Sequence, residues 1–247
     1  MAQITNKTIS LVSSLGERKH RKREGLFKAE GTKCVLDTLP HFQLRGLYAT
    51  AEWAESHPGV EAEIASRGDL RKMSSLTTPT DVIAVYAIPE QPAELPDASK
   101  RLVLALDTIQ DPGNLGTIIR VADWFGVRDI ICTRETADCY APKVIQATMG
   151  SISRVKLTYG DLPAMLAEMK APGVYGMFLD GADITHAELG SCGVVVIGNE
   201  GNGISLEVAR CVTHRLLIPS YPPDEPTGES LNAAIATAIT LAKFRGI

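Results

Sequence analysis

The stretch from Val194 to Ser205 reads VVVIGNEGNGIS: four β-branched residues in a row, followed at once by three glycines within six positions. An unbroken apolar run of this kind has the continuity of a strand buried on both faces, as strands of a parallel sheet read. Gly198, Gly201 and Gly203 then require the backbone to turn sharply and let another group come close. Asn199 and Glu200 lie inside that turn, and a plain structural turn has no use for the Glu200 carboxylate. The spacing is not GxGxxG and no Lys-Ser/Thr pair follows, so a nucleotide-phosphate cradle is a poor match.

Working outward, further apolar runs occur at Leu102–Leu106, Asp129–Cys132, Val174–Leu179 and Arg215–Ile218, with helical stretches between them. This alternation predicts an α/β domain built on a mostly parallel sheet. Leu115, Ile118, Ile119, Ala122 and Phe125 recur at helical spacing, as do Leu231, Ile235, Ile239 and Ala242 in the last segment. Residues 88–100, IPEQPAELPDASK, are rich in proline and acidic residues, with little that could pack. They read as a linker, which gives a small α/β domain over 1–88, a linker over 89–100 and a larger domain over 101–247. In the first domain, SLGERKHRKREGLFKAEGTKCVLDTL starts as a helix, turns into a short strand and re-enters a helix near Thr32.

The net charge of −4 is unevenly spread. Residues 1–50 carry nine Lys/Arg against four acids, a local +5 that leaves −9 on the remainder. That split suggests one polyanion-facing surface, although a lone basic run is more often simply solvated. Five scattered cysteines without a CxxC, and five histidines without HExxH, argue against disulfides and against a metal site. No apolar run reaches the 18 or so residues of a membrane span, and the N-terminus lacks the pattern of a secretory signal, so a cytoplasmic protein is expected.

Three loops follow strands at the edge where open α/β sheets place ligands. In LDTIQDPGNLGTIIR, Asp111–Asn114 form a turn, Asn114 is placed to cap the next helix, and Arg120 falls on the polar side shared with Gly116. The second loop is the glycine turn at 198–203. The third, LLIPSYPPDEPTGESLNAAIATAITL, brings Ser230 and Asn232 to the start of the last helix, where either could serve as a cap. A nicotinamide-dependent oxidoreductase would instead show a glycine-rich turn after its first strand, where this chain has DPGNLG.

Taken together, N-x-G-x-x-x-R, then G-N-E-G-x-G, then I-P-x…S-L-N resembles the SpoU/TrmH group of SPOUT methyltransferases. The stretch SLGERKHRKREGLFKAEGTKCV also resembles a substrate-binding domain with a fold similar to ribosomal protein L30e. The resemblance implies a deep trefoil knot in the C-terminal sheet and a pocket there for S-adenosylmethionine. Leu179, Gly181, Gly198, Asn199, Gly201, Gly203, Ile218, Ser220 and Leu231 would surround that cofactor. It further implies that Asn114, Arg120, Glu200, Ser230 and Asn232 hold the target nucleotide and the catalytic geometry, with no metal. The reaction would be transfer of a methyl group to an RNA ribose 2′-hydroxyl. Arg120 is the residue that the resemblance makes the activator of the hydroxyl, yet an Arg clamping a phosphate is equally consistent, because guanidinium stays protonated. A homodimer packed through the knot region is implied, as is an N-terminal domain meeting RNA through Arg18, Lys19, Arg21, Lys22 and Lys33. That front domain favours ribosomal over transfer RNA, with a non-catalytic RNA-binding assembly factor as the alternative of another class. One departure is the extended YPPDEPTGE before Ser230, whose Asp224 and Glu225 set negative charge beside a site meant for RNA.

Overall fold

A computed structural model describes residues 4–78, 80–222, 225 and 228–247. Asp224 of the extended acidic loop lies outside the described residues. The chain divides into two units, Met1–Glu90 with Asp138–Ser153, and Gln91–Ala137 with Arg154–Ile247.

The first unit begins with α1 (Asn6–Ser14), α2 (Arg18–Glu24), β1 (Leu26–Glu30) and α3 (Thr32–Thr38). It continues through β2 (Leu44–Ala49), α4 (Ala51–Ser56), β3 (Glu63–Ile64), α5 (Arg67–Met73) and β4 (Val82–Ala87). Short polar residues start several of these helices: Thr5, Thr50 and Ser66 each accept a backbone N–H of the first turn. Gly25, at φ +64°, ends α2 in the left-handed conformation that glycine adopts without strain. The sheet runs β1-β4-β2-β3, with β4 antiparallel to both neighbours. Val12, Leu15, Tyr48, Leu70, Met73, Ile83 and Val85 close one side of its core.

The second unit opens with β5 (Leu102–Leu106), α6 (Pro112–Trp124) and β6 (Asp129–Thr133). The chain then returns to the first unit, where α7 (Pro142–Thr148) packs on β1 and Tyr140 meets Phe27 with ring centroids 4.6 Å apart. Back in the second unit come β7 (Lys156–Gly160), α8 (Leu162–Glu168), β8 (Val174–Asp183), β9 (Gly193–Ile197), α9 (Leu206–Ala209), β10 (His214–Leu217) and α10 (Ala233–Phe244). All six strands are parallel, in the order β10-β8-β9-β5-β6-β7. The chain enters at the sheet's middle with β5, builds outward to β7, and then crosses to the other side.

Three details differ from the sequence reading. The sheet has a sixth strand, β7, whose KLTYG is largely half-exposed at the sheet edge and so lacks a buried apolar run. The segment 88–100 does pack: Ala98 is fully buried in the second core and Leu95 lies against it. In α10 the face turned inward is Ala233, Ala234, Thr237, Thr240, Leu241 and Phe244, while Ile235 and Ile239 are exposed. The small residues let α10 lie close on α6, and the larger ones are left outside.

The pairing of β10 with β8 is irregular in a telling way. Arg215 lies opposite Gly176, yet the next residue, Leu216, lies opposite Ala182, so residues 177–181 leave the ladder between the two registers. Where β8 rejoins, Gly181 presses on the backbone of Leu216, and a Cβ there would fall 2.4 Å from the Leu216 carbonyl carbon.

Candidate functional site

Because the strands are parallel, the loops after β5, β8, β9 and β10 all leave the same edge of the sheet. β5 and β9 are neighbours, with Leu106 opposite Ile197, and the sheet reverses its direction of growth between them. Such a switch point opens a crevice at the carboxyl ends of the strands.

The loop after β9 folds back on itself through paired backbone hydrogen bonds between Asn199 and Gly203, at 2.9 and 3.0 Å. The Asn199 side-chain oxygen accepts the N–H groups of Gly201 and Asn202 at 2.9 and 3.0 Å. Gly198 is needed by this fold-back itself, since a Cβ would lie 2.3 Å from the Gly203 carbonyl carbon. Two consecutive residues of the first loop pin both ends of the turn. The Thr108 carbonyl accepts Asn199 Nδ2 at 2.8 Å, and the buried Asp107 carboxylate accepts Ser205 N–H at 2.7 Å. Thr108 sits at φ +60°, an unusual conformation for a β-branched residue, and its N–H donates to Thr133 Oγ1 at 2.9 Å.

Within this frame three of the five expected catalytic residues join. Asn232 Nδ2 donates to Asn114 Oδ1 at 2.8 Å, and Asn114 Nδ2 donates to Glu200 Oε1 at 2.9 Å. Asn232 is the N-cap of α10, its Oδ1 accepting the N–H groups of Ala234 and Ile235 at 2.9 and 3.3 Å. Asn114 is not a cap. Asp111 caps α6, accepting Asn114 N–H at 2.8 Å with Pro112 following, which leaves the Asn114 side chain for Glu200. The Asp-Pro pair is a start signal that sequence reading could have used. Asp107, Thr108 and Thr133 carried no such signal, because their role exists only once two distant loops are adjacent.

Arg120 and Ser230 are exposed, with no hydrogen bond or ion pair among the described residues. Gly116, expected beside Arg120 on the open side, is buried, since a residue without a side chain is covered by its neighbours while Arg120 reaches past them. Of the expected cofactor residues, Leu179 and Leu231 are exposed apolar side chains, at 74% and 48%, Ile218 is half-buried and Ser220 is exposed. Beside Leu179, Arg215 lies 3.5 Å over the Phe178 ring and bonds Asp180, whose carboxyl it holds below the usual carboxylate range.

In the first unit, Arg18, Lys19 and Lys22 are exposed on α2 and Lys33 is exposed on α3. Lys19 pairs with Glu17 and Lys33 with Asp37, each at 2.9 Å on the surface. Arg21 corrects the sequence expectation. It is only 3% exposed, and its guanidinium donates to Asp138 and to the carbonyls of Leu15 and Gly16, so it does not offer its charge to RNA. All five cysteines are free thiols. Among the described residues no three His, Cys, Asp or Glu are grouped to hold a metal, and no helix is long and apolar enough to cross a membrane.

Known proteins give this arrangement a context. Residues 101–242 match the model of the SpoU rRNA methylase family, and residues 6–84 match the MRM3-like substrate-binding domain. The 23S rRNA (guanosine(2553)-2'-O)-methyltransferase RlmP of Bacillus subtilis is 30% identical, over 98% of this chain and 97% of its own. Among solved structures, a TrmH-family protein from Porphyromonas gingivalis is 39% identical, covers 98% of each chain and superposes with a TM-score of 0.88. An AdoMet-bound rRNA methyltransferase from Sinorhizobium meliloti is 28% identical over 100% of this chain and 97% of its own, with a TM-score of 0.85.

Proposed function

The chain belongs to the SpoU rRNA methylase family, and on that premise we propose that it transfers a methyl group from S-adenosylmethionine to a ribose 2′-hydroxyl of ribosomal RNA. The observation that carries this reading is the hydrogen-bonded chain Asn232–Asn114–Glu200 at the switch point of the parallel sheet. It joins residues from three segments far apart in sequence, the first turn of α6, the turn after β9 and the cap of α10.

The residues along this edge fit the cofactor. Leu179, Leu231 and Ile218 keep apolar surface accessible where a buried core would have covered it, and they suit an adenine ring and the carbons beside a sulfonium. The turn at 198–203 and the backbone near Ile218 and Ser220 supply N–H and C=O groups for the polar ends of the molecule. Gly198 and Gly181 act one step removed, by letting the turn close and the strands approach. When bound, the cofactor supplies a methyl group already activated by positive charge, so the chain's task is to align a hydroxyl and accept its proton. Arg120, solvent-facing and permanently charged, is suited to clamp an RNA phosphate.

Two further features belong to this reading. Membership of the family further implies a knotted crossing in the C-terminal sheet. The exposed Ile235 and Ile239 of α10, with Trp124 at the end of α6, support a homodimer that covers this apolar face with a second copy. The first unit, through Arg18, Lys19, Lys22 and Lys33, would supply salt-sensitive attraction to the RNA backbone.

Calorimetry with S-adenosylmethionine, followed by transfer of labelled methyl to ribosomal or transfer RNA, tests the proposal. Saturable binding and label in ribosomal RNA are expected. Label in transfer RNA alone would move the substrate, and folded protein that binds no cofactor would leave a non-catalytic RNA-binding factor.

A further inference from the structure

The second unit carries seventeen Asp and Glu against twelve Lys and Arg, so RNA brought to it meets an acidic body. Its cations are not evenly spread. Arg128 leads into β6, Arg154 and Lys156 lie at the start of β7, and Arg245 follows α10. All four converge on Phe125–Arg128, the connection from α6 to β6. Arg245 Nε donates to the Phe125 carbonyl at 2.7 Å, and its guanidinium passes 3.9 Å from where a Cβ on Gly126 would lie. The backbone N–H of Lys156 donates to the Arg128 carbonyl at 2.8 Å.

One acid serves this group. Asp123, almost buried, takes Arg128 on Oδ1 and Arg154 on Oδ2, the latter through Nε and Nη2 at 2.9 and 2.7 Å. Two guanidinium groups that repel each other are thus held side by side by a single carboxylate, while their side chains stay 49% and 42% exposed. Lys156 and Arg245 are exposed and have no acidic partner among the described residues. Positive charge therefore exceeds negative here, in a unit whose overall balance is the reverse. Helix C-termini attract cations through their last carbonyls, which accounts for Arg128 and Arg245. It does not account for Arg154 and Lys156, which end no α-helix.

The strands are parallel, so their starts form the edge opposite the crevice. The five residues of β6, at about 3.3 Å each, set the cluster about 16 Å from that crevice. No nucleotide held in the crevice reaches both. We propose that Arg128, Arg154, Lys156 and Arg245 hold backbone phosphates of the substrate RNA, in a segment remote from the methylated nucleotide; this rests on the reading of the chain as an RNA methyltransferase. Guanidinium forks match phosphate oxygens, and Asp123 keeps two of them in place before RNA arrives. Such contacts carry no sequence information, but they fix how the RNA lies and offset the repulsion of the acidic body.

The test uses the whole protein and an unmodified 23S ribosomal RNA transcript. Arg154→Gln with Lys156→Gln removes two of the cations and leaves Asp123 paired with Arg128. Lys170→Gln with Arg210→Gln, at two exposed cations elsewhere in the same unit, makes the same change of charge. Filter binding should give the first variant a slope of log affinity against log salt shallower by about 1.4–1.8, as for two phosphates no longer neutralised. Its KM for the transcript should rise about fivefold or more with kcat within about twofold of wild type, and the control should match wild type in both. A slope and KM that stay unchanged, or that shift equally in the control, would overturn the proposal. Acetylation of the wild-type protein with acetic anhydride needs no variant: mass spectrometry should find Lys156 protected by the transcript and Lys170 not. Lys156 modified equally with and without RNA would also overturn it. So would protection that grows with protein concentration alone, which would give the surface to a second copy. A protein that shows the slope change and the protection yet methylates no RNA would remove the methyltransferase reading and leave the surface in place.

Discussion

Arg21 and Asp138, 117 positions apart, are joined by two hydrogen bonds of 3.0 and 2.7 Å inside the first unit. The same guanidinium donates to the Leu15 and Gly16 carbonyls, so it ties the end of α1 to the returning segment Asp138–Ser153. Removing one partner of a buried ion pair leaves the other charge unpaired, which costs about 3–5 kcal/mol. Arg21→Ala is therefore expected to lower the melting temperature of the first unit markedly. Arg21→Lys should rescue little of it, since an ammonium cannot reproduce the planar fork. Thermal denaturation that leaves Arg21→Ala unchanged would contradict this placement.

The exposed lysines behave differently. Lys19→Ala with Lys22→Ala should leave the melting temperature unchanged and weaken binding to unrelated RNAs alike. The slope of log affinity against log salt should become shallower by about 0.7–0.9 for each phosphate that is no longer neutralised. Fluorescence anisotropy at several salt concentrations measures this, and an unchanged slope would place the RNA on another face.

Gly198→Ala forces a methyl group to within 2.3 Å of the Gly203 carbonyl carbon, so the Asn199–Gly203 fold-back has to open. Cofactor affinity should fall at least about tenfold, because the groups placed by the turn lose their positions together. Gly59→Ala, with nothing within 4 Å of its added Cβ, is the matched control. Calorimetry showing equal affinity for both variants would separate the turn from the cofactor site.

Ile235→Glu with Ile239→Glu places charge on the exposed stripe of α10 without entering its core face. Sedimentation should show a dimer in the wild type and a monomer in the double variant. A wild-type monomer at tens of micromolar would mean that something else covers the stripe.

How far the sequence carries depends on what kind of fact is asked of it. The buried strands were legible because burial on both faces writes continuous apolar runs, and β7 was not because its half-exposed KLTYG writes none. The period of α10 was legible, but which face of it met the core was not. A stripe of Leu231, Ile235 and Ile239 looks the same whether a core or another surface covers it. Glu200, Asn114 and Asn232 could be singled out individually, and the direction of the bonds between them required the cap at Asn232 to be seen. Arg21 was misread because its neighbours in sequence are solvated cations, whereas its partner Asp138 is reached only through the fold.

The most direct measurement is to locate the transferred methyl group chemically. Ribosomal RNA labelled by the purified protein and S-adenosylmethionine is hydrolysed in alkali, which cleaves at every nucleotide that keeps a free 2′-hydroxyl. The account predicts label in alkali-resistant dinucleotides at a single sequence, and no such label with Glu200→Gln. Label recovered in mononucleotides would mean that a base is methylated instead, and would contradict the account at its centre.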